Sequence, residues 1–303
     1  MGTPKPRSDP DSSQARRRVD GLLLVDKPVG PGSNAVLQQA KRLFNAAKAG
    51  HAGTLDPLAS GLLLVCFGEA TKFAQALLDA PKRYRATLRF GVATSTGDAE
   101  GDVVARGPVA FGVAELEASL ARFVGPILQQ PPRYAALKRN GRPYYAYARA
   151  GVEIERTPRE VRIEGLRLIG FSPPDAVVDV ECSKGTYVRV LAEDVGASLR
   201  SCAHLVALRR TGTAGFSVDR ALALDALTAI DQAARDSQLL PIDAALYAMP
   251  AILIDEVTSA ALRCGRRPQH LAAPGRYRAY GPSGFIGVVE SIGGELRVLR
   301  LTT

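Results

Sequence analysis

An α+β fold with a mixed or antiparallel sheet is what the 303 residues predict, together with a small β-rich second domain at the C-terminal end. Three observations lead there. Two short apolar runs of strand length, residues 21–25 and 61–65, both read GLLLV. Strand and helix patterns alternate along the chain without strict β-α-β repetition. Beyond residue 250 the texture changes to short strands punctuated by turns such as GPSG and IGG.

Taken in order, residues 1–18 hold three prolines, five Lys/Arg and two Asp, and read as a disordered basic tail. Residues 21–25 are a buried strand running into Asp26-Lys27-Pro28. Ser33 or Asn34 caps a helix through Ala47, with Val36, Leu37, Ala40, Leu43 and Phe44 on one face. The second GLLLV is another buried strand, and residues 70–80 are helical with Phe73, Leu77 and Leu78 inward. Tyr84, Ala86, Leu88 and Phe90 alternate with Arg85, Thr87 and Arg89, the period of a half-exposed strand. Residues 93–102 (ATSTGDAEGD) form a polar loop, and Val113, Leu116, Leu120 and Phe123 mark a helix. Strands follow around Val161–Leu168 and Val178–Cys182, then a helix over 187–199 and a strand over 205–211. Asp225 caps a helix over 226–234. A catalytic domain over 19–249 and a β-rich domain over 250–303 complete the division.

Composition narrows the function. Hydrophobic residues make up 46% and charged residues 23%, so a folded globular chain is expected. No apolar run approaches the roughly 18–20 residues of a membrane span. The N-terminal stretch has no apolar signal-peptide centre, so a cytoplasmic protein is expected. The formal charge of +9 points to nucleic acid first and to anionic metabolites or membrane surfaces second. Cys66, Cys182, Cys202 and Cys264 are scattered, as are His51, His204 and His270, so neither a disulfide framework nor a zinc site is expected. GxxxxGK[ST], GxGxxG and GxSxG patterns are missing, which removes the usual signatures of nucleotide hydrolysis, dinucleotide redox and serine-hydrolase chemistry.

The densest candidate for chemistry is residues 51–61, HAGTLDPLASG. One carboxylate, Asp56, sits between Gly53 and Gly61 ahead of an apolar strand, which suits a loop that must approach a ligand closely. Asp-Pro also marks an ordinary turn, in which Asp56 would bond nearby amides. Residues 131–149 carry tyrosines 134, 144, 145 and 147 interleaved with Arg133, Lys138, Arg139, Arg142 and Arg149, and no acidic residue. Cations for phosphate with aromatics for unstacked bases suit loop RNA. A helix with its tyrosines packed inward and its arginines in water fits the same pattern.

These segments resemble the bacterial TruB family, which makes pseudouridine at position 55 of tRNA. GHAGTLDPLASGLL resembles the family's catalytic-loop motif, and GLLLVDKPVGPGS its first motif, with Pro31-Gly32 in place of the usual pair before Ser33. GEATK at 68–72, KRY at 82–84, SKGTYVRVLAEDVG at 183–196 and LRRTGT at 208–213 follow in the family's order, and the C-terminal strands resemble a short PUA-type RNA-binding domain. The resemblance covers about 230 residues, from Gly21 to near Pro250, and leaves the tail out.

The resemblance implies a pseudouridine synthase catalytic domain with a PUA-like domain, free of metal and cofactor, acting as a monomer on the TΨC stem-loop of tRNA without an obligatory protein partner. It implies that Asp56 is the essential carboxylate, attacking C1′ or removing the sugar 2′-proton. Arg189 matches the arginine that pairs with it and Tyr84 the active-site tyrosine; otherwise Arg189 would read as a surface helix charge and Tyr84 as an inward strand aromatic. His51 matches the residue that splays the RNA loop, and Lys27 and Lys72 match basic residues of the cleft. Tyr187 falls in the arginine motif and is expected at the substrate, and Leu208 matches an apolar contact to the flipped base. Two rivals stay open. One is a binding module or RNA chaperone whose carboxylate is only structural. The other is a nucleic-acid N-glycosylase, against which no second acid stands beside Asp56.

Overall fold

The computed structural model describes residues 15–135 and 137–303. Of the expected disordered tail over 1–18, residues 1–14 lie outside the described residues, and residues 15–18 are tied down. Arg17 N donates to Asn45 O at 2.7 Å, and the Arg17 guanidinium meets Asp236 at 2.6 Å. A buried backbone needs partners, and a strand-like bridge between Arg17 and Ala46 supplies them.

The first half of the sheet is β1 (Gly21–Lys27), α1 (Ser33–Leu43), β2 (Ala49–Ala52), β3 (Ala59–Phe67), a 3-10 turn at Gly68–Phe73, α2 (Ala74–Asp79) and β4 (Lys82–Phe90). A hairpin follows from β5 (Val92–Thr94) and β6 (Val103–Arg106), then α3 (Val113–Ala121) and β7 (Gly125–Gln129). Two-residue strands β8 (Lys138–Arg139) and β9 (Arg142–Pro143) lead into α4 (Tyr144–Arg149). The long pair β10 (Arg159–Ser172) and β11 (Asp175–Cys182) precedes α5 (Val188–Ser198) and β12 (Ala203–Thr213). Short elements close the domain: β13 (Phe216–Ser217), β14 (Leu222–Ala223), α6 (Leu224–Ala229) and α7 (Gln232–Asp236).

Ten of these strands form one sheet along β14-β1-β3-β12-β4-β11-β10-β7, with β2 on β3 and β13 on β12. Pairing is parallel at β1/β14 and β3/β12 and antiparallel elsewhere, so the expected mixed sheet is what forms. The two GLLLV runs are antiparallel neighbours, with Lys27 opposite Gly61. Leu22, Leu24, Leu62 and Leu64 face one core while Leu23, Val25, Leu63 and Val65 face another, which is why the runs are apolar without alternation. A third core lies beneath β4, β11 and α5, around Ala86, Leu88, Val178 and Leu191.

Local departures from the expected elements have physical causes. Helix α1 stops at Leu43, because Asn45 turns to φ 47°. The expected helix over 226–234 is two helices: Ile230 is extended, and the Asp231 side chain accepts from Ala234 N at 2.8 Å, capping a new start.

The small domain is β15 (Ala251–Leu253), α8 (Glu256–Arg263), β16 (Gly275–Gly281), β17 (Gly284–Ile292) and β18 (Glu295–Leu301), a four-stranded sheet in the order β15-β16-β17-β18. Its own core holds Ile254, Leu262, Ala279, Ile286, Val289 and Leu296. It packs on the 3-10 turn, where the rings of Phe73 and Phe285 lie 5.6 Å apart and Lys72 Nζ donates to Leu301 O at 3.1 Å. No helix among the described residues is long and apolar enough to cross a membrane.

Candidate active site

The loop carrying Asp56 joins β2 to β3 and is held from three sides. Ser33 Oγ accepts from Leu55 N at 2.7 Å and donates to Leu55 O at 2.9 Å. Ser33 therefore pins the loop, and α1 has no side-chain cap. Lys27 is fully buried, and its Nζ donates to Ala59 O at 2.6 Å and Pro28 O at 2.9 Å. Burial lowers the Lys27 pKa and the nearby negative charge of Asp56 opposes that shift. Arg210, also fully buried, donates to Leu62 O at 2.6 Å and to Gly53 O at 3.1 Å. Gly53 has φ 87° and Gly61 φ 100°, and a Cβ at Gly61 would collide with the Arg210 backbone, so both positions need glycine.

Asp56 does form a turn, through its main chain: Ala59 N donates to Asp56 O at 3.0 Å. Its carboxylate takes no bond from a neighbouring amide among the described residues. Instead Oδ2 lies 3.0 Å from Arg189 Nη2, with the Asp56 side chain 45% exposed and that of Arg189 7%. Arg189, in the first turn of α5, is fixed by two more acceptors, Thr96 O at 3.1 Å and Tyr134 O at 3.0 Å. Its other face meets the buried carboxylate of Asp98 at 3.3 Å. Asp98 in turn accepts from Thr96 Oγ1 and from Glu100 N at 3.1 Å. One guanidinium thus holds two carboxylates, one sealed inside and one facing a cavity.

That cavity has a volume of about 390 Å³. Asp56, Arg189, Tyr84, Tyr187 and Leu208 all line it, so the structure brings five of the eight expected site residues together. Tyr84 points from β4 and Leu208 from β12, two strands in register at Leu208 and Ala86. Burial raises the pKa of both Tyr84 and Tyr187. Tyr187 is placed by Gln129, whose Oε1 accepts from Tyr187 N at 3.0 Å.

The other three sit elsewhere. Lys27 supports the loop from behind. His51 lies on β2 opposite Val65, half-buried, with Nδ1 buried and unbonded among the described residues; burial and the charge of Arg210 lower its pKa. Lys72 is away from the cavity, bonded to Glu69 at 2.6 Å and to the small domain.

Sequence reasoning missed Asp98, Lys82 and Arg210. Asp98 stood in a polar loop that read as a turn; the β5/β6 hairpin folds it beneath Arg189. Lys82 and Arg210 lay inside recognised motifs, KRY and LRRTGT, and their signal was a cation two residues from a cavity residue on the same strand face.

The chain is similar to known proteins along nearly its whole length. Residues 41–188 match the TruB family pseudouridylate synthase (N terminal domain), and residues 189–247 match the tRNA pseudouridylate synthase B C-terminal domain. The chain is 53% identical over 289 residues to the tRNA pseudouridine synthase B of Thiobacillus denitrificans, covering 95% of this chain and 97% of the relative. It is 50% identical over 308 residues to that of Burkholderia mallei, covering 99% and 97%. Among solved structures it is similar to one chain of a Cbf5-Nop10-Gar1 complex, with a TM-score of 0.71 and 23% identity over 93% of this chain and 84% of that one. A chain of the archaeal box H/ACA sRNP Nop10-Cbf5 complex gives 0.70 and 23% over 94% and 86%. The likeness to these structures is one of fold.

Proposed function

This chain belongs to the TruB family of pseudouridylate synthases, and from that premise we propose that it converts uridine 55 of the tRNA TΨC arm to pseudouridine with Asp56 as the catalytic carboxylate. The observation that carries the assignment is the Asp56 carboxylate, held at 3.0 Å by Arg189 at the edge of a cavity with aromatic and apolar walls.

The reaction breaks the N1–C1′ bond, turns the base and joins C5 to C1′. Asp56 either attacks C1′ or removes the 2′-proton; both need an aimed carboxylate, which the Arg189 pair supplies. Tyr84 and Tyr187 offer ring faces to the uracil, and Leu208 offers an apolar edge. A cavity of this size admits one nucleotide taken out of its stack, so base flipping precedes chemistry. His51, kept neutral by its surroundings, stands just behind the loop and would support the displaced RNA. Lys27 acts through the loop it holds. Lys72 would act through the junction with the small domain rather than on the uridine. The basic and aromatic residues of 131–149 and the PUA-like domain over 250–303 would grip phosphates and unpaired bases. A monomer working in the cytoplasm, without metal, cofactor or obligatory partner protein, completes the reading.

The experiment is incubation with unmodified tRNA followed by mapping of pseudouridine. The expected product is pseudouridine at position 55 with unchanged RNA mass. Released uracil would identify a glycosylase, and binding without modification would identify a binding module.

A further inference from the structure

Two buried cations at this cavity lack an ion-pair partner among the described residues. The Lys82 side chain lines the cavity from β4, two residues before Tyr84 and so on the same strand face, and is 7% exposed. Arg210 lines it from β12 and is 1% exposed. Among the described residues neither forms an ion pair, whereas Asp56 and Asp98 are both taken by Arg189. The groups facing Lys82 are Arg210 on β12, Cys182 on β11, Asp79 at the end of α2, and Lys184 after β11. Asp79 is itself bonded to Lys184 at 2.9 Å. With the Lys184–Asp79 pair set aside, Lys82, Arg189 and Arg210 thus stand against one cavity carboxylate and one sealed one. Buried charge without a counter-charge is costly.

Uridine is neutral when it enters. It does not stay so. Heterolysis of N1–C1′ sends the bonding pair to the base, whose negative charge spreads over N1, O2 and O4. This holds whether C1′ bonds to the Asp56 oxygen or the 2′-proton moves to Asp56. The base must stay anionic and captive while it turns. When C5 bonds C1′, the C1′–Asp56 bond breaks, or the proton held by Asp56 returns to C2′; the C5 proton then leaves and N1 gains one, which closes the balance of the isomerisation.

Resting on the function proposed above, we propose that Lys82 is a further catalytic residue, whose ammonium, with Arg210 behind it, stabilises the uracil anion while it is detached. Lys82 Nζ donates to Leu78 O and Ala80 O, which fixes the ammonium and leaves its third proton free for a uracil oxygen. The cavity is thereby matched to the detached base more than to the bound nucleoside, the condition for lowering a barrier. Burial lowers the Lys82 pKa to about 8, so the group remains mostly charged at neutral pH. Arg210 is a positioning residue here, since its bonds go to Gly53 and Leu62.

The rival explanation is that Lys82 only closes the end of α2. A change of leaving group separates the two. Fluorine at C5 withdraws electrons, so a detached 5-fluorouracil anion needs less help. Single-turnover loss of the N-glycoside is measured on tRNA carrying uridine or 5-fluorouridine at the target position; in the latter the fluorine stays on C5 and water adds across N1 and C6 to close the C-glycoside, which fluorine NMR follows. Lys82→Gln, which keeps a donor for the carbonyls, is expected to lose roughly 100-fold on uridine. It should lose at most about a tenth of that factor on 5-fluorouridine, with tRNA affinity retained, and Lys82→Arg should recover most of the rate. Equal losses on both bases, or no loss, would overturn the proposal. Should Lys82→Gln melt early, the Lys82→Arg variant decides: recovery close to the wild-type rate on uridine supports the proposal, and a folded protein that falls about 100-fold below wild type on both bases alike overturns it equally. Failure of the wild-type chain to make any pseudouridine would instead overturn the function on which the proposal rests.

Discussion

The cavity wall and the basic segment meet at Tyr134, yet different physics holds them. Arg189 and Arg210 in the wall, and Lys27 behind it, are buried, and their donors are spent on main-chain oxygens and on two carboxylates. In the segment, Arg133 pairs with Glu153 at 59% and 82% side-chain exposure, and Arg139 with Glu155 at 41% and 81%. Exposed pairs of this kind contribute about 0–1 kcal/mol each. The wall residues hold one geometry, whereas the segment's arginines are free to leave their exposed carboxylates at small cost. Changes in the wall should therefore appear in the rate of chemistry, and changes in the segment in affinity and its salt dependence.

The largest effect that sharpens this contrast is expected from Arg189→Lys. It keeps the charge but loses the planar fork that serves Asp56, Asp98, Thr96 O and Tyr134 O together. Single-turnover pseudouridine formation should fall by about 100-fold with tRNA affinity within roughly threefold. Asp98→Asn comes next, at roughly tenfold in the same assay, because a neutral amide holds the guanidinium less firmly. An effect of Asp98→Asn on affinity alone would break the contrast. Ser33→Ala removes both bonds to Leu55 and should lower stability by about 1–2 kcal/mol, read by denaturant unfolding. The smallest effect is that of Arg133→Ala: a few-fold weaker tRNA binding and a log K against log salt slope shallower by about 1, with the saturated rate unchanged. An unchanged slope would remove the segment from the RNA interface.

How much was legible in the sequence follows from how local each feature is. The GLLLV strands, the alternation in β4 and the Asp56 loop are written in adjacent residues, and each takes its expected form. Arg189 was found only through a motif, because its partner lies 133 residues earlier and no periodicity reports that distance. Asp98 was missed for the same reason, since its polar loop carries no sign of a buried carboxylate. Strand β2 reads AGHA, too short and too small in its side chains to announce pairing with β3. Lys72 belonged to a recognised motif, but the packing of the small domain decided its surroundings. Burial likewise put Lys27 behind the loop instead of inside the cleft.

The central claim is that the Asp56 carboxylate performs chemistry and is not merely part of a turn. The Asp56→Asn variant, saturated with unmodified tRNA in a single turnover, tests it most directly. Asparagine suits the turn as well as aspartate does, so fold and stability should hold. With no charge to attack C1′ or take a proton, pseudouridine should fall below detection while tRNA binding is kept or slightly tightened. Near-normal pseudouridine formation by the folded variant would contradict the account.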